Sequence, residues 1–296
     1  MVVDNNDRLQ EDDCKSFDGS GIWGEDVDGH GTHAAMLALQ VCRNAELMIL
    51  RVVQKRTDVI KATVAADAIR HAVKKGADII SISLGWKYAS DEVNSALLEA
   101  QAKQVLIFAA TSNEGVRDPT GIAHPARALT VISVDSASGE GQPSTFNPPT
   151  NDAINNKGSR LTAPGENVLS AFPPSLEPSG LKRKTGTSFA TPIAAGVAGL
   201  ILEFARQPPL SWHPRVARKL KETEVMRPFL NLFCADKHDR ESNYWFLHPW
   251  KLLSSGDHTN GPYGGDAADA NSMRYLRAYA ILLHMVTMVD PNILGN

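Results

Sequence analysis

The spacing of apolar positions changes period several times along the chain, and these changes outline an alternating order of strands and helices. Residues 46–53 (ELMILRVV) form a short apolar run ending in β-branched side chains, which predicts a buried strand. Over residues 58–75 the apolar positions Val59, Ala62, Ala66, Ile69 and Val73 recur every three or four residues, and Gly76 follows, which predicts a helix and its stop. Residues 78–84 (DIISISL) predict the next strand, 91–103 a helix, 105–110 (VLIFAA) a third strand and 129–134 (LTVISV) a fourth. Strands alternating with helices of this length imply right-handed crossovers and a parallel sheet covered on both faces, hence an α/β fold. The continuously apolar strands are what such a sheet requires.

Two turn-rich stretches, 138–159 and 173–184, are expected as surface loops. After Phe204 the chain changes character, with Pro208-Pro209, several helical segments and a Gly-, Asp- and Ser-rich stretch at 254–269. The expected organisation is a principal domain over residues 1–207, followed by an extension of helices and loops over 208–296 that packs on it or trails it.

Composition narrows the function classes. Of 296 residues, 43% are hydrophobic and 21% charged, which excludes a disordered or collagen-like chain. Thirty Lys and Arg against thirty-three Asp and Glu give a net charge of −3, so no nucleic-acid or anionic-membrane footprint is expected. Residues 1–10 carry Asp4, Asn5, Asn6 and Asp7 in place of a basic start and an apolar run, and the late apolar stretch 278–289 is short and interrupted by His284. Cys14, Cys42 and Cys234 have neither disulfide-framework nor metal-ligand spacing. The expectation is an intracellular protein acting in a reducing compartment, without membrane insertion.

Three short segments carry candidate chemistry. In Asp28-Gly29-His30-Gly31-Thr32-His33, glycines on both sides leave the His30 imidazole uncrowded, as a base that reaches a substrate needs. His30 and His33 could instead be a metal pair, although no acidic partner of the HExxH kind accompanies them. In Gly186-Thr187-Ser188-Phe189-Ala190-Thr191-Pro192, Ser188 stands where a helix begins and is either a cap or a nucleophile favoured by the helix dipole. Asn113, just after the strand VLIFAA, is either a turn former or a donor to a developing oxyanion at the edge where open α/β sheets gather their ligands.

Taken in order, GHGTH, SLG, AATSNEG, APG and GTSFATP resemble the subtilisin-like serine proteases over residues 8–206, in particular the fungal and intracellular types. The resemblance implies a three-layer α/β fold of the subtilisin type and a serine endopeptidase acting on polypeptide substrates, with no cofactor. It makes Ser188 the nucleophile, His30 the general base, Asn113 the oxyanion donor and His33 a structural residue. It also makes Ser83-Leu84-Gly85 the edge to which an extended peptide adds, and it puts Ala123 at the floor of the pocket for the residue before the cleaved bond.

The acidic partner of the histidine is the point of departure. In the family an Asp closes an apolar strand about thirty residues before the His, in an Asp-Ser/Thr-Gly step. Here Met1-Val2-Val3-Asp4 is the only strand end ahead of His30, and Asn5-Asn6 replaces that step, so Asp4 is the candidate. Asp26 and Asp28 are too close in sequence to orient His30 from behind. Residues 8–17 resemble the stretch that follows the Asp in intracellular-type members, which implies a shortened first strand or coding sequence, with further domains, upstream of Met1. From a different class, the alternative is a subtilase-like domain that binds peptide or a protein partner without cutting it. No calcium loop of the D-x-D-x-D-G type is present, and no metal is assigned.

Overall fold

The computed structural model describes residues 9–55, 57–115, 121–149, 160–208, 210–237, 244–252, 276–284 and 286–287. The strands are β1 (Lys15–Ser16), β2 (Leu50–Arg51), β3 (Ile79–Ile82), β4 (Leu106–Ala110), β5 (Ile132–Ala137), β6 (Arg160–Pro164), β7 (Val168–Ala171), β8 (Leu181–Lys184), β9 (Ala235–Lys237) and β10 (Tyr244–Leu247). The helices are α1 (His30–Val41), α2 (Ala62–Lys74), α3 (Asp91–Ala102), α4 (Thr187–Ala205), α5 (Pro214–Leu220) and α6 (Thr223–Phe233).

The main sheet runs in the spatial order β3, β4, β5, β6, β10, β9, and all neighbours are parallel except β9 against β10. Alternation along β4 divides the core. Leu106 and Phe108 pack with Ile132, Val134, Leu161 and the buried face of α4, whereas Ile107 and Ala109 pack with Ile69 of α2 and Val93, Leu97 and Ala100 of α3. Helices therefore cover both faces, giving the three-layer α/β arrangement of subtilisin-like proteins.

Through one layer runs α4, whose 19 residues are long and apolar enough to cross a membrane but are mostly buried in the core. Its small residues bring α1 close. A Cβ on Gly196 would lie 2.8 Å from Val41 Cβ and 3.1 Å from the Ala38 carbonyl oxygen, and one on Gly199 would lie 3.2 Å from Cys42 Sγ. Pro192 is the sixth residue of α4, past the first turn, so it leaves the Ser188 carbonyl without its intrahelical donor, and Ser83 Oγ donates to that carbonyl instead.

Several elements differ from their sequence expectations. The strand over 46–53 is regular only at Leu50–Arg51, paired in parallel with Lys15–Ser16, with a further bridge between Leu9 and Leu47. The helix expected from residue 58 begins at Ala62, and Val59, at 90% exposure, takes no part in the buried face. The strand expected over 129–134 lies at Ile132–Ala137, because it continues through Asp135 and Ser136, which are polar yet fully buried. Residues 181–184, expected as part of a loop, form β8 in an antiparallel hairpin with β7. Their Lys and Arg side chains carry no apolar alternation, so only the backbone pairing makes them a strand.

Beyond residue 207, α5 and α6 add Val216, Leu220, Met226 and Phe229 to the core around α4, and β10 and β9 extend the sheet past β6. That extension is tied down by a buried ion pair. The Arg160 guanidinium donates from Nε to Asp135 Oδ2 at 2.6 Å and from Nη2 to Oδ1 at 2.7 Å, and Thr111 Oγ1 donates to Asp135 Oδ1 at 2.5 Å. Arg160 Nη1 and the Tyr244 hydroxyl both donate to the Pro148 carbonyl, and the guanidinium lies 5.2 Å from the Tyr244 ring centroid. Removing one partner leaves the other charge buried and uncompensated. Asp135→Asn should therefore lower unfolding free energy by about 3–5 kcal/mol, read as a fall in the urea midpoint. Gly196→Ala should cost about 1–3 kcal/mol by forcing α1 and α4 apart, measured in the same way.

Candidate active site

Parallel strands end on one edge, and β3, β4 and β6 deliver Ser83, Asn113 and Gly165 to that edge. The N-terminus of α4 arrives at the same place. Gly186 N–H donates to the Gly165 carbonyl at 2.8 Å, and Ser83 Oγ donates to the Ser188 carbonyl at 2.7 Å. Ser188 is the second residue of α4, so its N–H is among those with no intrahelical acceptor. It is partly exposed, and its hydroxyl makes a long 3.4 Å bond to the Ser83 carbonyl.

Asn113 is exposed, and one side of its amide is fixed. Its Oδ1 accepts from Thr187 N–H at 2.8 Å and from Thr187 Oγ1 at 3.1 Å, which identifies the oxygen and leaves Nδ2 as the donor side. Gly186 lies against this amide at φ 150°, and a Cβ there would stand 3.1 Å from Nδ2. Glycine is required here both for the backbone and for the close approach.

His30 opens α1, whose start is capped from a distance. The Asp26 carboxylate accepts from the N–H groups of Asp28, Gly29 and Thr32 and from Thr32 Oγ1. Burial raises the Asp26 pKa, but these bonds outweigh it and hold the carboxyl below its ordinary value. Gly29 has φ 81° and rests on the Phe172 ring, where an added Cβ would lie 2.2 Å from Cζ. The His30 ring centroid is 5.2 Å from that of Phe189, the residue after Ser188, so the imidazole and the serine share one neighbour.

His33 has a different environment. It is fully buried, 4.6 Å from the Phe189 ring, and its Nε2 donates to the carbonyl oxygens of Val168 at 3.1 Å and Lys182 at 3.0 Å. Carbonyls only accept, so Nε2 carries the proton. Burial pushes the His33 pKa down; the two carbonyl bonds oppose this and the charge of Lys184 adds to it. Among the described residues, no group of three or more His, Cys, Asp or Glu is placed to hold a metal ion.

Gly85 faces Ala123, and a Cβ on Gly85 would stand 3.0 Å from Ala123 Cβ. Trp86 and His124 exchange backbone bonds at 2.7 and 2.8 Å, and Ala123 N–H donates to the Thr111 carbonyl at 2.7 Å. Ser83, Leu84, Gly85 and Ala123 thus line one side of the edge that holds Asn113 and Ser188. Asp4 lies outside the described residues. Thr187 and Phe172 were not foreseen from sequence. Thr187 could have been noticed as a hydroxyl beside the candidate nucleophile, whereas nothing in the sequence joins Phe172 to Gly29.

The profile of the Subtilase family (Peptidase S8) matches residues 2–244. The chain belongs to the subtilase family. This subtilase is 34% identical over 191 residues to the subtilisin-like protease het-Q2 of Podospora anserina, covering 62% of the chain and 50% of that protein. It is 32% identical over 211 residues to the major intracellular serine protease of Bacillus subtilis (strain 168), covering 68% of the chain and 61% of that protein. It therefore spans half to three fifths of the length of these relatives. Among solved structures it resembles sphericase, with a TM-score of 0.59 and 26% identity over 75% of the chain and 76% of that protein. It also resembles the prenylagaramide maturation protease PagA, with a TM-score of 0.56 and 27% identity over 68% of the chain and 72% of that one.

Among the described residues of this subtilase, the buried histidines His33 and His124 predict a pH dependence of stability. Burial lowers the pKa of both His33 and His124, with Arg127 adding to the effect at His124, so below 6.5 the unfolded chain binds more protons than the folded one. Stability should be full above that value and fall as the pH drops from 7 to 5, whereas the lowered carboxylates of Asp18, Asp26 and Asp78 add losses only near pH 4 and below. Urea titrations at pH 7, 6 and 5 check this, and His33→Gln should reduce the slope over the same range.

Proposed function

We propose that the chain is a serine endopeptidase that cleaves peptide bonds through an acyl-enzyme on Ser188. The observation that supports this most directly is the meeting of two helix N-termini beside a fixed amide. His30 and Ser188 begin α1 and α4 on either side of Phe189, and Thr187 holds Asn113 with its donor nitrogen available.

In this reading His30 takes the proton of Ser188 Oγ as the oxygen bonds to the scissile carbonyl carbon. Negative charge gathers on the carbonyl oxygen, where Asn113 Nδ2, the Ser188 N–H and the dipole of α4 stabilise it. The C–N bond then breaks, and His30 returns the proton to the leaving amine. Water attacks the acyl-enzyme in the reverse sense, giving up a proton to His30 and restoring Ser188. Ser83, Leu84, Gly85 and Ala123 hold the acyl side of an extended polypeptide. Asp4 is the proposed carboxylate that orients His30 through Nδ1, because Asp26 is engaged in capping α1. Intracellular action is part of the proposal, and its support is the name of the Bacillus relative together with buried, unbridged Cys14, Cys42 and Cys234.

A fluorophosphonate probe should label the protein at Ser188, located by mass spectrometry, and Ser188→Ala should abolish both label and turnover. A chain that neither reacts nor cleaves would instead be the peptide-binding form of the fold. Asn113→Ala should lower kcat by about 10²–10³, the loss known for the equivalent donor in subtilisin, with little change in KM, since the bond strengthens in the transition state. Asp4→Asn should lower kcat by about 10⁴ if Asp4 fills its proposed place, and an unchanged kcat would remove it from the triad.

A further inference from the structure

The hydrogen-bond ladder of α4 is interrupted at Ser188. Pro192 stands four residues later and has no N–H, so the bond that an unbroken helix would make from residue 192 to the Ser188 carbonyl is not formed. Ser188 and Ser83 are both half-buried, where an unpaired carbonyl is costly. Ser83, directly after β3, supplies the missing donor, its Oγ lying 2.7 Å from the Ser188 carbonyl oxygen. The reverse bond, from Ser188 Oγ to the Ser83 carbonyl, is long at 3.4 Å and uses the hydroxyl that turns to His30 in the serine-protease reading. The Ser83 hydroxyl therefore makes the firmer of the two ties.

The direction of the Ser188 side chain follows from what is fixed on each side of its Cα. The peptide plane before it is held through the Thr187 carbonyl, which accepts from Thr191 Oγ1 at 2.8 Å, while Thr187 N–H donates to Asn113 Oδ1 at 2.8 Å. One residue earlier, Gly186 N–H donates to the Gly165 carbonyl at 2.8 Å. The plane after Ser188 is held through its own carbonyl by Ser83. Three strand ends, those of β3, β4 and β6, thus share the control of this turn. Deleting the Ser83 hydroxyl releases only the second plane. The carbonyl then regains a partner by turning toward water or by tightening to the N–H of Thr191, three residues on. Either movement rotates Ser188 against Asn113 Nδ2 and His30.

We propose that Ser83 is a positioning residue, whose hydroxyl takes the place of the N–H that Pro192 lacks and holds the Ser188 peptide at the angle that acylation needs. This deepens the serine-protease reading and rests on it. The role belongs to the Ser83 side chain and is separate from the pairing of its backbone with an extended peptide. Misplacing a reacting group by about 1 Å costs about 10²-fold, so Ser83→Ala should lower kcat by about ten- to hundredfold with little change in KM.

A double-mutant cycle with Pro192 tests this, because Pro192→Ala returns an N–H to the helix and lets the Ser188 carbonyl bond within α4. Peptide turnover (kcat and KM) and the rate of fluorophosphonate labelling at Ser188 are measured for the wild type, Ser83→Ala, Pro192→Ala and the pair. Urea titration gives the folded fraction of each, to which the rates are referred. Ser83→Ala should slow both reactions by about ten- to hundredfold, whereas the same change made on Pro192→Ala should cost no more than about two- to threefold. Should Ser83→Ala not fold, Ser83→Cys, whose thiol keeps the shape and donates only weakly, takes its place in the cycle. A loss of equal size in both backgrounds, a loss confined to KM, or no loss overturns the positioning role and leaves the protease reading intact. A wild-type chain that neither cleaves nor labels overturns the protease reading, and the positioning role with it.

Discussion

The close side-by-side packing of α1 and α4 is the constraint on which the site depends. His30 and His33 meet Phe189 at one end, and farther along Val41 meets Gly196 and Cys42 meets Gly199, so the two helices run in the same direction. That approach is possible only because α4 presents small residues to α1. A side chain at Gly196 would press on the Ala38 carbonyl, which as backbone cannot turn away. Running together, the helices bring two sets of unsatisfied N–H groups, and two positive dipole ends, to one edge of the sheet. Such an arrangement repels itself and attracts anions. The Asp26 carboxylate neutralises the end of α1, while at the end of α4 Asn113 Oδ1 takes the Thr187 N–H and the Ser188 N–H has no intrahelical acceptor.

A second tier of polar interactions holds the strands that supply the rest of the site. Asp135 and Arg160 form a buried bidentate pair, and Thr111, two residues before Asn113, donates to the same carboxylate. The Thr111 carbonyl in turn receives the N–H of Ala123. Buried charges of this kind add less to stability than their short distances suggest, because both lose their hydration. What they add is a single register for β4, β5 and β6, and through Tyr244 a fixed place for β10. The chain after residue 207 is thereby coupled to the strands that end at Asn113 and Gly165.

Two histidines within one turn of α1 are placed by packing in different environments. His33 faces inward, engages two carbonyls of the β7–β8 hairpin and is driven toward its neutral form. His30 begins the helix, partly exposed, beside the ring that follows Ser188. The hairpin that anchors His33 also carries Lys182 and Lys184, so one local structure positions the first turn of α1 and places two ammonium groups over the Phe172 ring.

The order of strands and helices from β2 through β5 was legible in the sequence, because a doubly covered parallel sheet demands continuous apolar strands and period-3.6 helices, and both leave marks in the spacing of side chains. The local surroundings of His30, Ser188 and Asn113 are also written in short strings: glycines beside the histidine, small residues behind the serine, an apolar strand before the asparagine. Tertiary structure decided the rest. The strand at Ile132–Ala137 hides Asp135 and Ser136 in its core, which hydrophobicity cannot reveal, because a carboxylate is buried there only by virtue of an arginine twenty-five residues away. Strand β8 exists through backbone pairing alone and has no apolar pattern to read. The stacking of Phe172 under Gly29, the orientation of the Asn113 amide by Thr187 and the placing of Lys182 and Lys184 over the Phe172 ring each join groups that the sequence alone does not bring together. Sequence determines which groups are present and their local conformations; which of them meet is set by close packing in three dimensions, and that is where the chemistry of the edge arises.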